Sequence, residues 1–212
     1  MANKTDWNTA IKPLMKKYGK KKHPLDYQNL YQLIVAVVLS ARATDKYINQ
    51  VSPAFFEAFP AFDALKNADE ETLYRYIKGI PGYRHKAKWL LAMAQKVSDE
   101  NDITLTIGAL TALPGIGRKS ANVIMREAGV KPEGVIVDLH VVRVAPRLGI
   151  AKVNDPVKIE QQIMKKLQQK FWDAGMAISF LGREICRPTN PKCEECPMNA
   201  VCVYYKKLRK KK

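Results

Sequence analysis

The sequence predicts an all-α fold. Three observations carry that prediction. Apolar residues recur at three- and four-residue spacing along most of the chain, helix-capping residues stand where those stretches begin, and no segment alternates with the two-residue period of a half-buried strand.

Taken in order, Trp7, Ala10, Ile11, Leu14, Met15 and Tyr18 predict an amphipathic N-terminal helix, kinked at Pro13. Lys20-Lys21-Lys22 ends it as a solvated basic turn. Asp26 is placed to cap a helix over 27–41, whose run from Leu33 to Leu39 is apolar on all sides and therefore suits the core. Thr44 or Asp45 caps the next helix, with Tyr47, Ile48, Val51 and Phe55 inward and a bend at Pro53. Phe62 to Leu65 reads as a short turn, and Asp69 caps a helix through Leu73, Tyr74 and Ile77 that Gly79 ends. After it, Trp89, Leu90 and Met93 are expected to face inward. Val135-Ile136-Val137 is extended, Asp138 opens a further helix, Asp155-Pro156 another, and residues 171–185 form the last long one.

The chain is organised around Leu113-Pro114-Gly115-Ile116-Gly117-Arg118-Lys119-Ser120-Ala121-Asn122. A short helix over 106–112 and a longer one over 120–128, joined by Pro-Gly-Ile-Gly, predict a tight helical hairpin. Pro114 sets φ for the turn, and the two glycines permit φ > 0 and close approach of backbone. The amides of Gly115, Gly117 and the following first turn then form an N-terminal set suited to a phosphate. A purely structural αα-corner is the alternative. Ile80-Pro81-Gly82-Tyr83-Arg84-His85-Lys86 aligns without gaps on Leu113 to Lys119, which predicts a second, weaker hairpin in which Lys86 is a structural counterpart only.

Charge narrows the partners. Against 20 Asp and Glu stand 36 Lys and Arg, a net charge of +16 in 212 residues. A chain this basic is expected to meet a polyanion, with nucleic acid ahead of an acidic membrane or protein surface. The longest apolar run, seven residues, is too short for a bilayer, and the first 22 residues lack the apolar core of a secretion signal. An intracellular, cytoplasmic protein is expected, at the nucleoid in a bacterium. Cys186, Cys193, Cys196 and Cys202, spaced C-x6-C-x2-C-x5-C, are then metal ligands rather than disulfides. Four thiolates suit zinc or a [4Fe–4S] cluster, and spacing alone does not separate them. Arg187 and Lys192, on the proline-stiffened loop between the first two cysteines, are candidate phosphate contacts or else a solvated loop. The lysine- and arginine-rich tail after Tyr205 is expected to be mobile and to add salt-sensitive attraction to DNA.

Together these motifs resemble endonuclease III. The hairpin segment, Val137-Asp138-Leu139-His140, the four cysteines, and Leu39-Ser40-Ala41-Arg42-Ala43-Thr44-Asp45 all fall into that family's pattern, over nearly the whole chain. The resemblance implies two helical lobes around a DNA-binding cleft. One is a six-helix barrel over 22–132 carrying the helix-hairpin-helix. The other is built from 1–21 and 133–212 and holds a [4Fe–4S] cluster on Cys186, Cys193, Cys196 and Cys202. It implies a monomer acting on duplex DNA. The enzyme excises a damaged, oxidised pyrimidine and cuts the abasic site by β-elimination. Lys119 matches the family's nucleophile and Asp138 its carboxylate.

Those residue types suit that chemistry. A stacked base must be flipped out before reaction. The attacking lysine must be uncharged, and a helix N-terminus next to Arg118 favours the uncharged amine. Asp138 would stabilise cationic sugar character and assist proton transfer. Taken by themselves, Lys119 reads as a phosphate contact and Asp138 as an N-cap. His140 is given no chemistry. Two other functions stay open on sequence, a glycosylase without lyase activity and a non-catalytic DNA-binding module, although Lys119 opposes the first and the Lys119–Asp138 combination the second. The chain departs from the family where Arg42 stands for the usual Gln and Gly82 for the usual Leu, the two residues that fill the gap behind a flipped nucleotide. Gly82 cannot wedge a stack. Arg42 is expected to fill the gap and favour lesions opposite guanine, with Tyr83 as a stacking surface, or else to contact a phosphate.

Overall fold

A computed structural model describes residues 5–210, and among these there are helices and no strand. The chain divides into two compact units, Lys22–Lys131 and Met1–Lys21 with Pro132–Lys212. No helix among the described residues is long and apolar enough to cross a membrane.

The chain opens with α1 (Trp7–Ala10) and α2 (Lys12–Tyr18). The expected single kinked helix is two helices. Pro13 lies in the first turn of α2, where a missing N–H breaks no bond, so the helix restarts there instead of bending. Trp7, Ile11, Leu14 and Tyr18 are buried. Lys21, expected in a solvated turn, pairs with Glu184.

The unit Lys22–Lys131 contains α3 (Leu30–Leu39), α4 (Asp45–Ala58), α5 (Phe62–Lys66), α6 (Glu70–Ile77), α7 (Tyr83–Ala94), α8 (Ile107–Thr111) and α9 (Arg118–Glu127). Helix α3 is its centre. It is buried from Leu33 to Leu39, and α4, α7 and α9 pack on it. Its cap is Asn29, whose side chain accepts the Gln32 N–H at 2.9 Å, and not Asp26. Glu100 also accepts the Tyr31 N–H at 2.6 Å, so a residue 69 positions away helps to fix where the helix begins. Thr44 and Asp69 cap α4 and α6 as expected. Residues 62–66, expected as a turn, are the helix α5.

The turn between α8 and α9 shows why glycine is needed once, not twice. Gly115 has φ 80°, the left-handed region, and a Cβ there would stand 2.9 Å from the Trp89 indole. Trp89 is therefore not an inward core residue. It is 38% exposed, and its ring lies under the turn. Gly117 is extended at φ −93°, ψ 171°, so its expected positive φ is not adopted. Gly82, in the counterpart Pro-Gly turn, repeats the left-handed conformation of Gly115 at φ 73°, but a Cβ there would meet open space.

The other unit is completed by α10 (Leu139–Leu148), α11 (Pro156–Lys166), α12 (Ala174–Glu184) and α13 (Val203–Arg209). Helix α12 is buried from Ala174 to Gly182 and packs on α10 and α2. Helix α13 overturns the expectation of a mobile tail directly after Tyr205. Its lysines and arginine face outward while Tyr204 takes the Arg147 guanidinium 4.7 Å from its ring centre. Lys211 and Lys212 lie outside the described residues.

Substituting alanine at the two left-handed glycines separates backbone strain from crowding. Gly82→Ala should lower unfolding free energy by about 1–2 kcal/mol, the ordinary left-handed cost. Gly115→Ala should cost distinctly more because it also displaces Trp89. Chemical denaturation of both variants checks this, and equal losses would show that the indole contact carries no energy.

Candidate functional site

In the unit Lys22–Lys131 the hairpin presents its cations outward. Gly117 is the N-cap of α9, and Ala121 N–H to the Gly117 carbonyl, at 2.9 Å, is the helix's first intrahelical bond. A Cβ at Gly117 would meet nothing within 4 Å. The absent side chain leaves the helix start open, as close approach of a phosphate requires. Arg118 and Lys119 are the first two residues of α9, and both are exposed. Ile116 beside them is buried and holds the turn down.

The second Pro-Gly turn treats its lysine differently. Lys86 is only 3% exposed. Its ammonium donates to the carbonyls of Leu39 at 2.9 Å and Ala41 at 2.7 Å, at the end of α3. Burial pushes it down to about 8, and the Arg42 charge acts in the same direction. Arg42 is exposed and has φ 62°, one of two non-glycine residues with positive φ among those described, the other being Asn190. Gly82 is exposed at the N-cap of α7. Tyr83 is half-buried, edge-on to Tyr74 at 5.0 Å, with the Arg84 guanidinium 5.6 Å from its ring centre.

In the other unit Asp138 is both cap and anchored carboxylate. Its Oδ1 accepts the Val141 N–H at 2.9 Å, capping α10. Its Oδ2 accepts the Ser179 hydroxyl at 2.5 Å and lies 3.8 Å from Nη2 of Arg183. Ser179 and Arg183 are one turn apart on α12, so one face of that helix fixes the carboxylate that α10 orients. Sequence reasoning missed both. Their spacing of four was the available signal, but nothing in it named Asp138 as their partner.

Two arginines one turn apart on α10 were missed in the same way. Arg143 donates to the carbonyls of Gly182 (2.9 Å) and Cys186 (3.3 Å). Arg147 donates to the carbonyls of Arg187 (2.8 Å) and Pro188 (3.1 Å) and approaches Cys186 Sγ at 3.6 Å. They hold the loop on which Arg187 and Lys192 are exposed. Lys192 is paired with Glu195 at 3.6 Å.

Cys186, Cys193, Cys196 and Cys202 are all free thiols and line one cavity with Leu148, Leu181 and Ile185. Among the described residues no three His, Cys, Asp or Glu side chains are gathered as the ligands of a metal ion. Burial raises Cys193 and Cys202 and pushes Cys196 up to about 11. A metal that replaces the thiol protons would remove that penalty. The Arg147 guanidinium at Cys186 Sγ and the Tyr205 N–H 3.5 Å from Cys202 Sγ are placed to accept the resulting thiolate charge. By its chemistry, the donor set fits a four-thiolate group.

Residues 35–169 match the HhH-GPD superfamily of base excision DNA repair proteins. Endonuclease III of Synechocystis sp. is 37% identical over 206 residues, covering 95% of this chain and 94% of its own. Two solved structures, a trapped covalent endonuclease III–DNA intermediate and a non-covalent endonuclease III–DNA complex, each superpose with a TM-score of 0.82 at 30% identity. They cover 95% and 96% of this chain, respectively, and 96% of each of theirs. The fold and these matches define a helix-hairpin-helix protein of base excision repair. Within that superfamily, the chain belongs to the endonuclease III family.

The Asp138 geometry makes its two roles separable. Asp138→Ala removes the cap of α10 and should lower unfolding free energy by about 1 kcal/mol. Asp138→Asn keeps an N-cap acceptor and should stay within about 0.5 kcal/mol of the parent. Thermal and denaturant melts of the two variants check this, and an equal loss would place the Ser179 and Arg183 contacts above the cap in importance.

Proposed function

We propose that this chain removes an oxidised pyrimidine from duplex DNA and cuts the resulting abasic site through an imine on Lys119. The family supplies the class: the chain is a DNA glycosylase and abasic-site lyase of base excision repair, acting on damaged duplex DNA. The observation that carries the residue assignment is the exposure of Lys119 at the second position of α9, directly behind the uncovered Gly117. There a phosphate held by the helix start and by Arg118 would bring a sugar to the amine.

The uncharged Lys119 Nζ attacks C1′. The glycosidic C–N bond breaks, and its electron pair leaves with the base, which takes up a proton. The bound amine loses its proton to a base, O4′ takes one as the sugar ring opens, and the C1′=N imine forms. Loss of a C2′ proton then expels the 3′ phosphate and breaks the strand, and water releases the lysine. Asp138, held in one orientation by Val141, Ser179 and Arg183, supplies a fixed negative charge for the cationic sugar and a proton acceptor. Arg42 fills the gap left by the flipped nucleotide and favours guanine opposite it. Gly82 leaves the space and Tyr83 flanks it. Arg187 and Lys192 meet backbone phosphates.

In this reading Cys186, Cys193, Cys196 and Cys202 would hold a [4Fe–4S] cluster, and their ligation would stiffen the 186–202 loop. The other unit, with the hairpin, carries the lysine.

Lys119→Gln should retain the parent's melting behaviour, since the side chain is exposed. It should lose nicking of an abasic oligonucleotide by a factor of 10³ or more, on the order of what removing a covalent nucleophile costs. Undiminished nicking would contradict the assignment. The purified protein should be yellow-brown, with broad absorbance near about 400 nm that Cys196→Ala abolishes. A colourless, fully active protein with stoichiometric zinc would contradict the cluster.

A further inference from the structure

Lys86 is a buried cation with no carboxylate partner among its recorded contacts, in a unit where nearly every other lysine reaches solvent. Burying an ammonium is expensive unless its hydrogen bonds are replaced. Here two carbonyls replace them, and both belong to one turn. Leu39 is the last residue of α3. Ala41 is the residue whose carbonyl forms the peptide plane entering Arg42. That turn is closed by Ala43 N–H to the Ser40 carbonyl at 3.0 Å, with Arg42 in its third position at φ 62°. Glycine or asparagine is the ordinary occupant of such a position, and an arginine there costs about 1–2 kcal/mol. Strain of this kind persists only where the surroundings impose it. The neighbouring bonds identify what imposes it. Ser40 Oγ donates back to Val37 at 2.9 Å, and Lys86 fixes the carbonyls on both sides of Ser40.

We propose that Lys86 is a positioning residue for DNA recognition: it clamps the end of α3 so that Arg42 is held in its left-handed conformation with the guanidinium directed out of the fold. The proposal rests on the reading above in which Arg42 meets DNA, and it adds what makes that contact pre-organised. A free arginine side chain on a mobile turn loses conformational entropy on binding, and a clamped turn has lost much of it already. The clamp also accounts for a charged group that the catalytic reading does not use. Lys86 touches no DNA in this scheme and acts through Arg42.

Two measurements test it. The first is the rate of tryptic cleavage after Arg42, read as the appearance of the Ala43 N-terminus. Lys86→Met, which keeps the length and loses the donors, should raise that rate severalfold. Lys86→Gln, a shorter donor, should fall between, which keeps the test decisive if the methionine variant melts early. The second is affinity for a duplex carrying a non-cleavable abasic analogue opposite guanine, in a double-mutant cycle with Arg42→Ala. Each single variant should weaken binding by roughly fivefold or more, the scale of one lost arginine contact. The double variant should bind no worse than Arg42→Ala alone, because the clamp acts only through that residue. An unchanged cleavage rate in both Lys86 variants, or additive losses in the cycle, would overturn the proposal. If Arg42→Ala binds like the parent, the DNA role of Arg42 fails, and the proteolysis result decides by itself whether Lys86 is the clamp.

Discussion

A left-handed glycine seated on an indole sets the geometry of the working face of the Lys22–Lys131 unit. Gly115 turns the chain at φ 80° with no room for a Cβ above Trp89, and Ile116 is buried immediately after. Gly117 is then extended, and α9 starts one residue later. This sequence of conformations gives Lys119 the second position of its helix. The earlier Pro-Gly turn makes the same left-handed move at Gly82, but α7 starts at once, with Tyr83, and Lys86 falls at the fourth position. Two helical positions are roughly 200° of rotation. Two lysines that align in sequence therefore face opposite ways, one outward at the start of its helix and one inward under the end of α3. The two extra residues ahead of α9, Ile116 and Gly117, account for that difference in phase more than any difference in side-chain type does.

The other unit achieves orientation by a different device. Asp138 is at once the N-cap of α10 and the acceptor of Ser179 from α12, so its two oxygens are committed to different helices. A carboxylate held this way cannot rotate, which suits the fixed negative charge proposed for it. Arg143 and Arg147, on the same helix, extend the arrangement to the cysteine loop. One helix thus carries the carboxylate at its start and the anchors of the thiol-bearing loop along its length.

The sequence made the helices legible because most of them announce themselves locally: Thr44, Asp69, Thr106, Asp138 and Asp155 each cap the helix that follows. It misled where a distant residue decided. Helix α3 begins at Leu30 because Asn29 and Glu100 satisfy its first amides, and Glu100 is invisible to a local reading. Trp89 has core spacing but serves the turn at Gly115, a contact between helices that periodicity does not describe. The candidate residues stood out in the sequence, the cysteines by their spacing and Lys119 and Asp138 by resemblance to the family. Their supports were not legible. Ser179, Arg183, Arg143 and Arg147 look like ordinary i, i+4 pairs until the fold gives them partners, and Lys86 looks like a surface lysine until it is found buried.

The central claim is that helix phase, set by Gly115 and Gly117, selects Lys119 as the nucleophile. The most direct measurement is the site of attachment in the wild-type protein after borohydride reduction in the presence of abasic DNA. Nuclease and tryptic digestion, followed by mass spectrometry, would locate the reduced sugar adduct. The expected result is a single adduct, on the peptide running from Lys119 through Arg126 with cleavage blocked at Lys119. An adduct on Lys86, or on any lysine other than Lys119, would contradict it.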